Sequence, residues 1–257
     1  MERLDPKDGI AVVTGAGSGL GRALAVELVR AGFTVAGLGR RVEALQGTAA
    51  LAGDGFNPVA ADVADAKAVD AAFAAIRRGL GPVALLINNA AVYPHRDFLD
   101  ETAESFMATT AINLGGVVAC TRAALVDMVE TGRGRILNVS TFADIAPLPA
   151  ASAYSVSKGA ARIFTRALIA DLADRFPGIV IGDWMPGMLD TAMGVPDGLS
   201  PEDAARWGAE LAQRMDPSLT GTLFERDAEI LPPRGLKGRI KDLLLLRRRA
   251  PRRIETS

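Results

Sequence analysis

The chain has 257 residues, 49% hydrophobic and 23% charged, a balance that excludes a disordered or fibrous protein and fits one large globular domain or two smaller ones. One cysteine, Cys120, excludes an internal disulfide, and one histidine, His95, leaves no nitrogen and sulfur cluster for structural zinc, so no metal is expected. The net charge of −1 hides an asymmetry: residues 231–257 hold nine Arg or Lys against Asp242 and Glu255, a net +7, so the remainder carries −8. No apolar run reads as long enough to span a bilayer, and the charged N-terminus "MERLDPKDG" lacks the apolar stretch of a signal peptide. A cytoplasmic location is the expectation.

Short aliphatic runs alternate with Ala-rich segments of helical period. "IAVVT" at 10–14 precedes a helix over 19–31; "TVAGL" at 34–38 precedes 41–52; "NPVA" at 57–60 precedes 65–78. "ALLIN" at 84–88 leads to a long helix over about 102–130, "RILNVS" at 135–140 to one over 151–175, and "IVIGDW" at 179–184 closes the series. Apolar strands that each feed a helix predict an α/β fold of Rossmann type, a doubly wound parallel sheet with helices on both faces. Residues 1–230 are read as one domain of three layers and residues 231–257 as a basic C-terminal extension. In such a sheet the ligand crevice lies at the carboxyl ends of the strands.

The first of those ends carries "TGAGSGLG", residues 14–21. Gly15 allows the tight turn, Gly19 the approach of a phosphate, and Gly21 close packing of helix on strand, with Ser18 and Leu20 in the same loop. A pyrophosphate would rest on the helix N-terminus there. Further on, Tyr154 and Lys158 in "YSVSK" stand at i and i+4, one face of a helix. A free tyrosine has a pKa near ~10, and a neighbouring ammonium favours its phenolate and lowers that value.

Taken with "NNA" at 88–90 and "PGMLDT" at 186–191, these motifs resemble, in order and spacing, the short-chain dehydrogenase/reductase family in its short single-domain branch. The resemblance covers residues 9 to about 193. It implies that Tyr154 protonates a carbonyl oxygen while a nicotinamide delivers hydride, that Lys158 also holds the ribose hydroxyls, and that Asn113 holds a water of the proton relay. It places Asp62 and Val63 at the adenine, Asn89 and Ala90 along the adenosine ribose, Pro186 and Gly187 at the nicotinamide-side turn, and Thr191 at the carboxamide or the pyrophosphate. At the end of the second strand, Gly39 replaces the acidic residue of NAD-preferring members and Arg40 follows. A guanidinium can bind a 2′-phosphate, so NADP(H) is expected over NAD(H).

Two departures stand out. The substrate-orienting serine of the family, thirteen residues before the tyrosine, is here Thr141, with Ser140 the alternative if the strand is shifted by one residue. Ala91 replaces a glycine, and its Cβ would crowd the crevice or demand another backbone angle. Residues 192–216 fall at the family's substrate lid. Met193, Val195, Leu199, Trp207 and Leu211, with Tyr93 and His95, suggest a mostly apolar carbonyl substrate or equally a helix packing stripe.

The reading is therefore an NADP(H)-dependent carbonyl reductase or alcohol dehydrogenase. By resemblance it would be a homo-oligomer, a dimer or tetramer, through the helices over 102–130 and 151–175. An epimerase or dehydratase of the longer branch would need a larger substrate domain. A cofactor-binding regulator or scaffold acting through the tail stays open. That tail, "RGLKGRIKDLLLLRRRAPRR" at 234–253, reads as an amphipathic helix for an anionic membrane surface or a subunit contact, or as a solvated end. No aromatic interleaving points to nucleic acid.

Overall fold

The computed structural model describes residues 2–232 and 250–255. Its first half runs β1 (Ile10–Thr14), α1 (Gly19–Arg30), β2 (Val35–Gly39), α2 (Val42–Ala52), β3 (Phe56–Ala60), α3 (Ala66–Gly79) and β4 (Val83–Asn88). Then come α4 (Ala103–Thr110), a π-turn (Ala111–Gly115) and α5 (Gly116–Thr131), followed by β5 (Gly134–Val139), α6 (Ser152–Leu172) and β6 (Ile179–Met185). The chain continues through α7 (Pro201–Ala212), β7 (Leu223–Glu225) and β8 (Ala228–Ile230). The strands form one sheet in the order β3-β2-β1-β4-β5-β6-β7-β8, parallel apart from the antiparallel β7–β8 hairpin.

Every residue of β1, β4 and β6 is buried, as strands covered on both faces must be. Alternation divides them between two cores. Ala11, Val13, Leu85 and Ile87 face α1, α2 and α7; Ile10, Val12, Val83 and Leu86 face α3 and α5. The strand order reverses between β1 and β4, which opens a crevice at their carboxyl ends.

Three features differ from the sequence expectations. First, α4, the π-turn and α5 join into one helical segment, Ala103–Thr131, which by length and composition is long and apolar enough to cross a membrane. Its most apolar stretch is 56% buried, and it packs on β4 and α3: a core helix facing apolar neighbours has the composition of a span.

Second, the segment expected as a lid, 192–216, is divided: Ala192, Met193, Gly194, Val195 and Pro201 line the cavity in that crevice, while the rest of α7 packs on the body. Helix α7, capped by Ser200 accepting from Asp203 N–H at 3.0 Å, lays Ala204, Ala205, Gly208 and Ala209 against the body. A Cβ on Gly208 would stand 2.6 Å from the Trp184 ring and 2.7 Å from Leu24, so the fit needs small residues. Leu199, Trp207 and Leu211 accordingly belong to the core and not to a substrate wall.

Third, the end of the tail is docked. Ile254 is 3% exposed within the α1 and α7 core, Arg252 pairs with Glu229 at 2.8 Å, and Arg253 pairs with Asp227 at 2.5 Å. Two arginines of the basic extension are thus matched by carboxylates of the β7–β8 hairpin. The helix expected from "RGLKGRIKDLLLLRRR" lies outside the described residues.

Candidate active site

At the end of β1 the chain turns under close constraint. Gly15 has φ +69°, and a Cβ there would lie 2.9 Å from both Ala90 Cα and Asn89 Nδ2. A Cβ on Gly21 would lie 2.2 Å from the Gly15 carbonyl oxygen, and Gly19 has φ +49°. Only glycine satisfies these positions. Thr14 ties the turn to β4: its Oγ1 accepts from Asn89 N–H at 3.0 Å and Ala90 N–H at 2.9 Å, and Asn89 Nδ2 donates to the Thr14 carbonyl at 2.9 Å. From below, Arg22 donates to the Gly17 carbonyl at 2.6 Å and to Thr48 Oγ1 at 3.2 Å, while Thr48 donates to the Ala16 carbonyl at 2.8 Å. The carbonyls of the loop are therefore satisfied on its protein side.

The first N–H groups of α1 have no intrahelical partner, and the Ser18 side chain caps none of them. With Ser18, Gly19 and Leu20 lining the cavity, this helix N-terminus is open to an anion. Across the opening, Thr191 Cγ2 lies 3.3 Å from where a Gly19 Cβ would be, so the segment after β6 stands over the loop. A dinucleotide's phosphates fit this cradle. At the end of β2, Gly39, Arg40 and Arg41 line the same cavity. Arg40 is exposed, 3.9 Å from the Asp62 carboxylate. Asp62 itself does not line the cavity; it accepts from Ala64 N–H at 3.0 Å, whereas Val63 does line it.

All of this opens on one cavity of about 720 Å³, which also receives Tyr154, Lys158, Thr141, Asn89, Ala90, Pro186 and Gly187. Ala91 lines it without a positive φ, so its Cβ demands no unusual backbone angle. Helix α6 supplies Tyr154 and Lys158 one turn apart. Ser140 and Thr141 both line the cavity, and of the two it is the Thr141 hydroxyl that holds the Tyr154 pKa down against burial. The Thr141 Oγ1 also accepts from Ala143 N–H at 3.2 Å.

The expected lowering of the tyrosine pKa is not what the site does in this form. Burial raises the Tyr154 pKa, and the Thr141 hydrogen bond opposes it. Lys158 is itself desolvated: burial lowers it to about 8, and its Nζ donates to the Val139 carbonyl at 2.6 Å. Behind it lies Asp183, raised to about 6 by burial and bonded by Thr165 at 2.9 Å. Asp183 ends a buried polar ladder whose strand members are register neighbours, Asn88 beside Asn138 and Asn138 beside Asp183. Asn88 donates to Asn138 at 2.8 Å, and Asn138 donates to Thr165 at 3.0 Å.

Asn113 sits fully buried in the π-turn, outside the cavity lining. It accepts from Val92 N–H at 2.8 Å and donates to the Val92 carbonyl at 2.9 Å and Ser157 Oγ at 3.0 Å. Both of its N–H groups are spent, so it braces the post-β4 loop against α6 and has no N–H left for a relay water. That loop stacks Tyr93 on the Tyr154 ring, centroids 4.3 Å apart, with His95 tilted against Tyr93 at 4.0 Å. Phe142, Leu148, Met188, Met193 and Val195 complete an apolar end of the cavity.

Sequence reasoning did not single out Thr14, Arg22, Thr48, Ser157 or Asp183. Thr14 had a visible signal, its place directly before the first glycine. Arg22 and Thr48 meet across 26 residues and had none.

A family model described as short chain dehydrogenase matches residues 9–199. The chain is 38% identical over 188 residues, 72% of its own length, to the probable oxidoreductase EphD of Mycobacterium tuberculosis, of which it spans only 31%. It is 36% identical over 191 residues to a 2-(R)-hydroxypropyl-CoM dehydrogenase of Xanthobacter autotrophicus, covering 72% of this chain and 76% of that one. A 2-(S)-hydroxypropyl-CoM dehydrogenase of the same organism is 31% identical over 210 residues, 78% of this chain and 80% of that one.

Proposed function

The chain belongs to the short-chain dehydrogenase family, and from that premise we propose that it is an NADP(H)-dependent oxidoreductase interconverting an apolar carbonyl compound and its secondary alcohol. The observation that carries this reading is that Tyr154, Lys158 and Thr141 converge on the cavity into which the glycine loop opens. Pro186, Gly187 and Thr191 would hold a nicotinamide, which would supply the hydride. Tyr154, kept protonated at neutral pH by burial, gives its phenolic proton to the carbonyl oxygen. Thr141 donates a hydrogen bond at that oxygen and holds it against the phenol. Lys158 contributes positive charge that favours the phenolate left behind and binds ribose hydroxyls. Asn113 steadies the loop and helix between which these groups sit.

The 2′-phosphate preference rests on Gly39, which offers no carboxylate, and on Arg40 and Arg41 beside it. Among the described residues these are the lining's only arginines, and they stand at the β2 end. The opposite end is walled by Phe142, Leu148, Met188 and Met193, which supports an apolar substrate. Two relatives named for dehydrogenating a 2-hydroxypropyl group support a secondary alcohol or its ketone. Exposed Met107, Val118, Val126, Val129, Val156 and Ile163 on α4, α5 and α6 support assembly into a homo-oligomer.

The test is NADPH consumption by the purified protein across ketones, aldehydes and quinones, with NADH in parallel. Turnover with NADPH, weaker with NADH and lost in Tyr154→Phe, is the expected result. Cofactor binding without turnover of any carbonyl favours a regulator or scaffold instead.

A further inference from the structure

Tyr154, Lys158 and Arg162 stand at i, i+4 and i+8 along α6, one stripe of one helix face. The first two have roles in the proposed reaction and the third has none. Arg162 is nonetheless buried, 9% exposed, and its Nη2 donates to the Thr141 carbonyl at 2.8 Å and to Asp144 Oδ1 at 2.7 Å. The same nitrogen lies 3.4 Å from Ser140 Oγ and 3.6 Å from Met185 Sδ. One guanidinium thus joins α6 to the end of β5, the loop after it and the end of β6.

A buried ion pair is a poor stabiliser, because desolvation offsets most of its attraction. Here Nε of Arg162 has no partner, and burial raises the Asp144 pKa despite the guanidinium beside it. The useful question is what the pair holds in place. Thr141 is fixed by Arg162 at its carbonyl and by Ala143 N–H at its Oγ1, and a β-branched side chain has little freedom at χ1. Its hydroxyl keeps its proton free to donate into the cavity that it lines together with Tyr154.

We propose that Arg162, paired with Asp144, is a positioning residue: it clamps the Thr141 backbone so that the Thr141 hydroxyl stays beside Tyr154 and aimed at the substrate carbonyl oxygen. The inference rests on the proposed reductase reading for its kinetic consequence, and on the Arg162 contacts to Thr141 and Asp144 for its structural one.

The experiment is a double-mutant cycle of Arg162→Met and Thr141→Val, read as kcat, KM and the NADPH dissociation constant. Arg162→Met is expected to lower kcat by about tenfold, as loss of an aligning contact does, with NADPH affinity within about twofold. In the Thr141→Val background the same change is expected to cost less than about twofold, because the hydroxyl it aligns is gone. Equal losses in both backgrounds, or a loss confined to NADPH binding, overturn the inference. If Arg162→Met does not fold, Asp144→Asn takes its place in the cycle, with a smaller loss and the same dependence on Thr141.

A second readout needs no turnover. The chain has two tyrosines, so in a Tyr93→Phe background the absorbance titration of the phenol reports Tyr154 alone. Arg162→Met should raise that titration more with Thr141 present than with Thr141→Val. A shift of equal size in both reports only the lost charge and overturns the inference. Absence of any carbonyl turnover in the wild type would sink the reductase reading and leave this titration to decide the matter.

Discussion

The two ends of the cavity are built differently. At the β1–β2 end the walls are backbone: Gly15, Gly19 and Gly21 fit where a Cβ would collide, and Thr14, Arg22 and Thr48 hold the loop. At the β5–β6 end the walls are side chains: Tyr154 under Tyr93, Thr141 against Tyr154, Phe142, Leu148 and Met193 around them. A backbone wall admits one ligand geometry and tolerates almost no substitution, whereas a side-chain wall can be recut for another substrate. The difference predicts that chemistry and cofactor binding respond to mutation steeply and separately, and substrate choice gently.

The steepest response belongs to Tyr154→Phe. It removes the proposed proton donor and should lower kcat by about 10²–10⁴ while leaving NADPH affinity nearly intact, measured by steady-state kinetics beside cofactor fluorescence titration. Equal damage to both would deny that the two ends work separately. Next comes Gly21→Ala, whose Cβ would meet the Gly15 carbonyl at 2.2 Å. Overpacking of about 1–3 kcal/mol should weaken NADPH binding by roughly tenfold or more and lower the melting temperature, with the pH profile unchanged. An alanine variant that binds normally would show the loop to be softer than its contacts imply.

Arg40→Ala should reduce NADPH affinity by about tenfold, the worth of one charge-assisted contact, and leave NADH affinity where it was. A parallel loss for both cofactors would remove the guanidinium from any role in choosing between them. The smallest effect is a shift in pH. Lys158 loses its proton near 8, so cofactor affinity should fall as the pH rises through that value. Asp183 raises the Lys158 pKa, so Asp183→Asn should move the fall to lower pH, seen by repeating the cofactor titration from about pH 6 to 10. A fall that stays in place would mean the carboxylate does not act on the ammonium.

The same contrast explains what could be read from the chain. The α/β alternation and the turn at Gly15, Gly19 and Gly21 were legible because sheet burial and backbone sterics are local and act on few residue types. The i, i+4 spacing of Tyr154 and Lys158 was legible for a similar reason, whereas Asn89, Ala90 and Thr141 were picked out only by the family resemblance. What local pattern could not carry was partnership across the fold. Tyr93 reaches Tyr154 only because Asn113 braces its loop, and Asp183 enters the Lys158 environment only through strand register. Trp207 and Leu211 have the stripe of a substrate wall and of a packing helix alike, and the small residues opposite Trp184 decide for packing. The long helix Ala103–Thr131 shows the same ambiguity, since its apolar composition serves a sheet face.

The central claim is that the glycine-loop end and the Tyr154 end serve one hydride transfer. It is tested most directly with NADPH carrying deuterium at C4 of the nicotinamide and a carbonyl compound that the wild type consumes. One deuterium is expected on the carbinol carbon of the product, with its transfer slowed about 10²–10⁴ in Tyr154→Phe although that variant still binds NADPH. Label appearing in solvent and not in the alcohol, or undiminished transfer in Tyr154→Phe, would contradict it.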